Sequence, residues 1–163
     1  MTLMDRPTLS NPISALTEVR LSPTHGLGLF ARTLIPQGTI WWRVRPSDVI
    51  PVNRLQFEAL TASEQSPRTT AFIDAFLEFG YYVKGFDTLF LIPDNGRYVN
   101  HSFEPNSAVC PDSDGLCSIT LCDIARGDEI VEDYTTYDKC PWANLYGEFG
   151  RTIGYWVQSD VAP

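Results

Sequence analysis

The stretch RYVNHSFEPN, residues 97–106, is the most informative part of this chain. Asparagine, histidine, serine and a Pro–Asn pair favour turns, and their side chains readily hydrogen-bond to nearby backbone groups. They stand between two runs rich in strand-forming residues, 89–92 and 107–110. Polar loops held between strands often carry function, so we interpret this stretch as a turn that presents a binding site.

Two further segments complete a pattern: GDEIVEDY at residues 127–134 and HGLGLFA at residues 25–31. A single Gly-x-Gly is weak evidence by itself, because it often marks only a turn. In their order along the chain, however, the three segments resemble the signature elements of the SET domain, a family of protein-lysine methyltransferases. The resemblance spans roughly residues 15–140, most of the chain.

The resemblance implies a mostly-β, β-clip-like SET fold of several small sheets, with a helical insert at about residues 50–80. It also implies a threaded pseudoknot near the active site, a rare exception to unknotted topology, which would bring Asn100 close to Tyr134. We expect the SET domain at residues 15–140, a loose lead-in at 1–14 and an aromatic C-terminal flap at 141–163.

Local patterns predict elements that agree with this fold. Asn53 and Pro67 are expected to begin two short helices, the second with a core-facing row at Phe72, Ala75, Phe76 and Phe79. Strands are predicted at residues 15–21, 27–31, 39–44, 80–83, 89–92, 107–110, 116–121 and 129–134.

The resemblance implies transfer of a methyl group from S-adenosylmethionine to the side-chain amine of a lysine in a protein. Tyr134 matches the tyrosine that orients the amine and the departing methyl group in this family. Its hydroxyl has an ordinary pKa near 10 and stays neutral at pH 7, which suits orientation better than proton removal. The resemblance suggests cofactor contacts for Gly26, Leu27, Gly28, Arg97, Asn100 and His101, with Trp142 and Phe149 covering the cofactor.

A lysine must lose its proton before it can attack, which costs roughly 4 to 5 kcal/mol at pH 7. A narrow aromatic channel would lower the lysine pKa by desolvation. Its candidate walls are Tyr81, Tyr98, Glu132 and Tyr137. Glu132 departs from the family, which often has Phe or Tyr there. Two interpretations stay open: an exposed strand-end glutamate, or a carboxylate at the channel mouth that influences how many methyl groups are added.

The net charge of −8 argues against direct binding to nucleic acid and suits a basic, lysine-containing protein or peptide, although it equally serves solubility. No apolar run is long enough to span a membrane, and the first residues lack a signal-peptide pattern. We therefore expect a cytoplasmic protein, with a nuclear location or secretion into a host left open. The oligomeric state is not predicted, and a homodimer is one option.

The four cysteines contain no Cys-x-x-Cys pair, and Phe103 stands where zinc-bearing relatives supply a ligand. We therefore expect a stand-alone SET domain without zinc modules and without a metal, its cysteines being buried thiols. Two alternatives to the enzyme remain: a non-catalytic SET-like binding module that retains the fold, and a small β interaction domain without a cofactor.

Overall fold

The computed structural model describes residues 11–62, 66–111, 113 and 115–146. It contains ten strands, three α-helices and four short 3-10 turns among these residues. The helices are α1 (Ile13–Leu16), α2 (Arg54–Ala62) and α3 (Pro67–Phe79). The strands are β1 (Thr17–Leu21), β2 (Leu27–Ala31), β3 (Ile40–Arg43), β4 (Ile50–Asn53), β5 (Gly80–Val83), β6 (Thr88–Leu91), β7 (Asn100–His101), β8 (Ser107–Val109), β9 (Cys117–Thr120) and β10 (Glu129–Glu132).

The strands form three small sheets with the orders β1-β2-β10-β7, β3-β9-β8 and β4-β6-β5. Helices α2 and α3 fall in the region expected for the helical insert and precede β5. The predicted mostly-β fold of several small sheets is confirmed. The first strand is shorter than predicted, because residues 15–16 belong to α1, whose backbone turns back on Pro12 through two N–H groups.

The segment 100–106 runs beside β10. Strand β7 pairs with β10 in parallel, with Asn100 opposite Val131. The Asn106 side chain extends this pairing: its Oδ1 accepts the Val131 N–H at 2.9 Å and its Nδ2 donates to the Glu129 carbonyl at 2.8 Å. Asn100 and Tyr134 therefore lie on adjacent segments, as the resemblance predicted.

Two apolar clusters hold the sheets together. One contains Leu29, Trp41 and Ile130 and lies under the sheets built from β2, β3 and β10. The other contains Phe76 and Leu89 and joins α2 and α3 to the sheet β4-β6-β5. Burial of a large apolar side chain stabilises a fold by roughly 1.5 to 3 kcal/mol, so these clusters fix the elements that surround the site.

The two helices of the insert begin where the sequence predicted. Asn53 and Gln56 form a reciprocal cap, each side chain accepting the other's backbone N–H at 2.9 Å. Pro67 occupies the first turn of α3, after a serine cap. The predicted aromatic face is partly wrong: Phe76 is buried, but Phe72 is 40% exposed, because the buried side of the helix passes through Ile73 instead.

The prediction of four buried thiols is wrong. Cys110 and Cys117 form a disulfide, Cys122 is exposed, and Cys140 is the buried thiol among them. The β8–β9 hairpin places the paired residues opposite each other, with Cα atoms 5.2 Å apart, within the range that a disulfide requires. Disulfides are rare in reducing cytosol, so this pair does not support the expected cytoplasmic location. That location stays a prediction. In the described part of the chain, no helix has the length and apolarity needed to cross a membrane.

Candidate active site

A cavity of about 500 Å³ opens between β5, the β8–β9 hairpin and the end of β10. We call it the aromatic cavity. It brings together five of the residues singled out in the sequence, together with a tryptophan of β3. The five are Tyr81, Arg97, Glu132, Tyr134 and Tyr137, and the tryptophan is Trp41.

Tyr134 is fixed in this wall from both ends. Its backbone N–H donates to Nδ1 of His101 at 3.1 Å, and its hydroxyl donates to the carbonyl of Val99. Its ring lies 5.3 Å from the ring of Tyr137 and 5.0 Å from that of Tyr146. A side chain held in this way has one position and one orientation for its hydroxyl oxygen.

Burial, followed by the negative charges of Glu132 and Glu129, raises the pKa of Tyr134 above its ordinary value. The hydroxyl therefore stays protonated at neutral pH. Since it donates its single proton to a backbone carbonyl, its oxygen serves the cavity as a hydrogen-bond acceptor.

Glu132 is 2% exposed, so the interpretation as an exposed strand-end glutamate is wrong. The Ser107 hydroxyl donates to its Oε1 at 2.8 Å, and the Tyr137 hydroxyl donates to its Oε2. Behind them, the Trp41 indole donates to the Ser107 hydroxyl at 2.7 Å. The pKa of Tyr137 is raised well above its ordinary value by burial and by the charge of Glu132. The carboxylate is thus part of a built network inside the wall.

Tyr81 also faces the aromatic cavity, and Tyr98 does not. Among the described residues no group hydrogen-bonds to the buried Tyr81 hydroxyl, whose pKa is raised by burial and by the charge of Asp94. Tyr98 instead lies under Arg97, whose guanidinium carbon is 4.8 Å from the ring centre and whose Nη2 donates to the Tyr98 hydroxyl at 2.8 Å. Tyr98 therefore supports Arg97 rather than forming the cavity wall.

The Gly26 loop, residues 25–28, lies outside the lining of the cavity. Gly26 has φ of +50°, a conformation that favours glycine, and among the described residues no atom beyond its chain neighbours lies within 4 Å of the position that a Cβ would take. Gly28 is required for another reason: a Cβ there would lie 2.1 Å from Oε1 of Glu129. The Leu27 side chain is 43% exposed, so the loop presents backbone and one apolar side chain outward.

Asn100 fastens this loop. Its Nδ2 donates to the carbonyls of His25 and Leu27, both at 3.1 Å, and to Oε1 of Glu129 at 2.7 Å. The other oxygen of Glu129 accepts the Ser22 hydroxyl at 2.9 Å. The amide donors of Asn100 are thus directed at the protein, and the residue positions the loop carbonyls for whatever binds there.

The ring of His101 acts on Tyr134. Its side chain is 5% exposed, its Nδ1 accepts the Tyr134 N–H, and Nδ1 also lies 3.7 Å from a carboxylate oxygen of Asp133. The Phe103 ring packs edge-on at 4.5 Å. The ring of His101 thus positions Tyr134, and the cofactor contact suggested for this residue stays a prediction.

Of the two residues proposed to cover the cofactor, Trp142 packs away from the Gly26 loop. Trp142 packs against Phe57 and Tyr82, with ring centres 5.7 and 6.1 Å away, and its indole donates to Asp87 at 3.0 Å. These contacts attach it to α2, to β5 and to the turn before β6. Phe149 lies outside the described residues.

The sequence pattern did not indicate Ser107 or Glu129, which complete the two networks. Glu129 lies inside the segment 127–134, but the role of its carboxylate becomes visible only in its contact with Asn100. The role of Ser107 cannot be recognised in the sequence, because it depends on the contact between its hydroxyl and Glu132 of β10. Among residues 11–62, 66–111, 113 and 115–146, no group of three or more His, Cys, Asp or Glu residues could hold a metal ion.

Comparisons with known proteins bear on the family to which this chain belongs. The family model described as SET domain matches residues 26–135. No curated protein matches. Among solved structures, the chain is similar to the crystal structure of a candidate histone methyltransferase from Plasmodium falciparum, at 18% identity and a TM-score of 0.47, covering 73% of this chain and 92% of that one. Since the family match takes in more than half of the sequence, this chain belongs to the SET-domain family, whose members are generally methyltransferases.

Proposed function

We propose that this protein transfers a methyl group from S-adenosylmethionine to the side-chain amine of lysine in a basic protein. The observation that carries the proposal is the hydroxyl of Tyr134 in the wall of the aromatic cavity. Its proton is donated to the Val99 carbonyl, so its oxygen accepts an N–H of the incoming amine and orients the nitrogen lone pair. Orientation of two bound reactants removes several kcal/mol from a barrier, on the order of 7 to 11 at best.

The Gly26 loop and Arg97 fit the cofactor. The open space beside Gly26 admits a ligand, and the carbonyls fixed by Asn100 are acceptors suited to the cofactor's ammonium group. The guanidinium of Arg97, already oriented by Tyr98, suits its carboxylate. When bound, the cofactor supplies an electrophilic methyl group on a positively charged sulfur.

The aromatic walls address the proton of the substrate lysine. Tyr81, Tyr134 and Tyr137 exclude water from the nitrogen, which disfavours the ammonium and lowers the lysine pKa. Burial raises the pKa of Tyr134, so this residue keeps its own proton and does not act as the base. The amine proton leaves through the cavity mouth to solvent, and the neutral nitrogen remains in place.

The charge of the protein supports a basic partner. The net charge is −8, and the exposed carboxylates of Glu78 and Asp138 stand at the cavity. Opposite charges speed encounter and align a basic segment before its lysine enters. A lysine-rich protein segment is therefore the proposed substrate, and nucleic acid is not.

The test is incubation of purified protein with methyl-labelled S-adenosylmethionine and poly-L-lysine, followed by hydrolysis and detection of methyl-lysine. Label in methyl-lysine is expected, and Tyr134→Phe should remove most of it. A thermal shift with S-adenosylhomocysteine checks the cofactor separately, since ligand at 100 times its Kd adds roughly 2.7 kcal/mol of stability. The proposal fails if neither poly-L-lysine nor a mixture of basic proteins becomes labelled.

A second function, the non-catalytic binding module, is favoured by one observation. The carboxylate of Glu132 in the cavity wall stabilises an ammonium, the form of lysine that does not attack. A module of this kind would bind S-adenosylhomocysteine or a lysine ion without turnover. Cofactor binding together with an unlabelled substrate would select this alternative.

A further inference from the structure

We infer that Glu132 makes the aromatic cavity select lysine nitrogens that carry an N–H bond, so that methylation stops before the trimethyl state. The catalytic part of the inference rests on the proposed function. The selectivity for ions rests only on the cavity and can be measured without turnover.

The hydrogen-bond network around Glu132 has one direction. Trp41 donates to the Ser107 oxygen, so the Ser107 proton goes to another acceptor: Oε1 of Glu132 lies at 2.8 Å, nearer than the Ile119 carbonyl at 3.3 Å. The Tyr137 hydroxyl donates to Oε2. Trp41 and Ser107 are 1% and 0% exposed, so water does not compete for these bonds. Both hydroxyls donate to the carboxylate, which is the acceptor at the end of both chains.

The carboxylate retains acceptor capacity on its cavity side. Two carboxylate oxygens offer about four lone-pair positions, and Ser107 and Tyr137 occupy two of them. Glu132 itself contributes to the cavity wall, and the inference assigns its remaining acceptor positions to a group inside the cavity. The partner that satisfies them best is a charged N–H donor, because charge-assisted hydrogen bonds are roughly twice as strong as neutral ones.

The aromatic rings alone would not discriminate among methylation states. Aromatic rings attract any cation, whether ammonium or trimethylammonium, so the rings that line the cavity do not favour one methylation state. Glu132 adds the distinction: ammonium, methylammonium and dimethylammonium each donate an N–H bond to it, and trimethylammonium has none. A trimethyl group also places methyl carbons, which donate no N–H hydrogen bond, against the carboxylate oxygens.

The number of N–H bonds on the lysine nitrogen also falls with each successive methyl transfer. An unmethylated neutral amine has two N–H bonds, one for the Tyr134 oxygen and one for Glu132, while its lone pair attacks. A monomethyl amine still has one, which either acceptor takes. A dimethyl amine has none, so a third attack proceeds without orientation and with a methyl group against the carboxylate. Mono- and dimethyl-lysine are therefore the expected products.

Ion selectivity is tested with four probes: butylammonium, N-methylbutylammonium, N,N-dimethylbutylammonium and N,N,N-trimethylbutylammonium chlorides. Binding to the whole protein is followed by calorimetric titration or by ligand-observed NMR. The trimethyl ion should bind about tenfold more weakly than the methylammonium ion, the factor that one charge-assisted hydrogen bond commonly provides. Equal affinities, preference for the trimethyl ion, or no binding of any ion would overturn the inference.

Two variants locate the effect. Glu132→Gln and Glu132→Leu should each reduce the ratio between these two affinities to about threefold or less, since a neutral amide is a weaker acceptor and leucine is none. Glu58→Gln removes one negative charge from the surface of α2, where Glu58 pairs with Arg54, and should leave the ratio unchanged. If Glu132→Leu does not fold, the affinity ratio of Glu132→Gln alone decides whether the effect belongs to Glu132.

The products on poly-L-lysine separate the inference from the proposed function. The wild type should yield mono- and dimethyl-lysine with trimethyl-lysine below about a tenth of the total, and Glu132→Leu should raise the trimethyl share. Methylation with the same product ratio in the wild type and both variants would overturn the inference and leave the proposed function intact. Ion selectivity that depends on Glu132, with no methylation at all, would support the inference and overturn the proposed function.

Discussion

Glu129 and Glu132 stand on one strand, β10, but serve different sides of the site. Residues three apart on a strand point to opposite faces. Glu129 contacts Ser22 and Asn100 and holds the Gly26 loop. Glu132 lies in the aromatic cavity wall with Ser107. The same residue type thus stabilises a proposed cofactor loop on one face and shapes the proposed lysine channel on the other.

The difference between the two faces predicts different kinds of damage. The network of Glu129 fixes a loop that is itself mostly exposed, so its loss should weaken ligand binding there. The network of Glu132 is buried, so its loss leaves hydroxyls without partners and alters orientation in the cavity. Substitutions on the loop side should therefore change cofactor affinity, and substitutions on the cavity side should change turnover and product.

The largest effect is expected on the cavity side, for Tyr134→Phe. The ring contacts with Tyr137 and Tyr146 remain, but the oxygen that orients the amine is lost. Turnover should fall by about 100-fold or more, a loss in the range of one strong transition-state contact. Single-turnover methylation of poly-L-lysine measures it, beside a calorimetric titration of S-adenosylhomocysteine that should not change. Near wild-type turnover would remove Tyr134 from the role proposed here.

The loop side is tested by Asn100→Ala. The loop loses the donors to His25, Leu27 and Glu129, so its carbonyls are no longer fixed. Affinity for S-adenosylhomocysteine should fall about 10-fold, because each lost bond commonly costs 0.5 to 1.5 kcal/mol and part of the loss is recovered by water. Titration calorimetry measures this change.

Asn53→Ala is the matched control for that substitution. It removes an asparagine that caps α2, costs about 1 kcal/mol of stability and should leave cofactor affinity unchanged. If Asn100→Ala behaves in the same way, lowering the melting temperature but not the affinity, its role is purely structural. The proposed division between the two faces of β10 would then fail on the loop side.

The sequence predicted much of this fold because its strongest signals are local. The three segments located β2, the stretch 97–106 and Tyr134, and caps at Asn53 and Pro67 marked the insert. Turn residues and helix caps act through neighbours in the chain, so they can be recognised without knowing the fold. The closeness of Asn100 to Tyr134 came from the resemblance alone.

What the sequence did not predict depends on contacts between distant elements. Glu132 is buried because Ser107 and Tyr137 approach it from other segments. Cys110 and Cys117 pair because of the register of a hairpin. A tyrosine pattern likewise gave no means to tell which rings face the cavity. Such outcomes require the three-dimensional arrangement and not the periodicity of one segment.

A smaller effect is expected for Gly28→Ala, which crowds the contact between Gly28 and Glu129. The new Cβ would lie 2.1 Å from Oε1 of Glu129, whose carboxylate is already held by Ser22 and Asn100. Displacing it should cost about 1 to 3 kcal/mol, as overpacking commonly does. Urea unfolding measures the loss of stability, and cofactor affinity should fall with it.

Gly38→Ala separates crowding from backbone strain. Gly38 has φ of +77° and open space around its missing side chain, so this variant adds only the left-handed strain, about 1 to 2 kcal/mol. It should not affect cofactor affinity. Equal affinity losses in both variants would mean that the effect of Gly28→Ala is not transmitted through Glu129.

The smallest effect concerns three cavity tyrosines, which should not ionise while the protein is folded. This tests whether water is excluded from the cavity side. Burial raises the pKa of Tyr81, Tyr134 and Tyr137 above the ordinary value near 10. Because the folded-state pKa values exceed the unfolded ones, their contribution to stability is complete below pH about 10 and falls as the pH rises above it. Absorbance at about 295 nm should therefore show that these three tyrosines ionise only when the protein unfolds, with unfolding measured separately by circular dichroism. Tyr134→Phe should remove one of the three late ionisations. If all three ionise near pH 10 while the fold is intact, the cavity is wet, and the contrast between the two faces of β10 is smaller than the structure indicates.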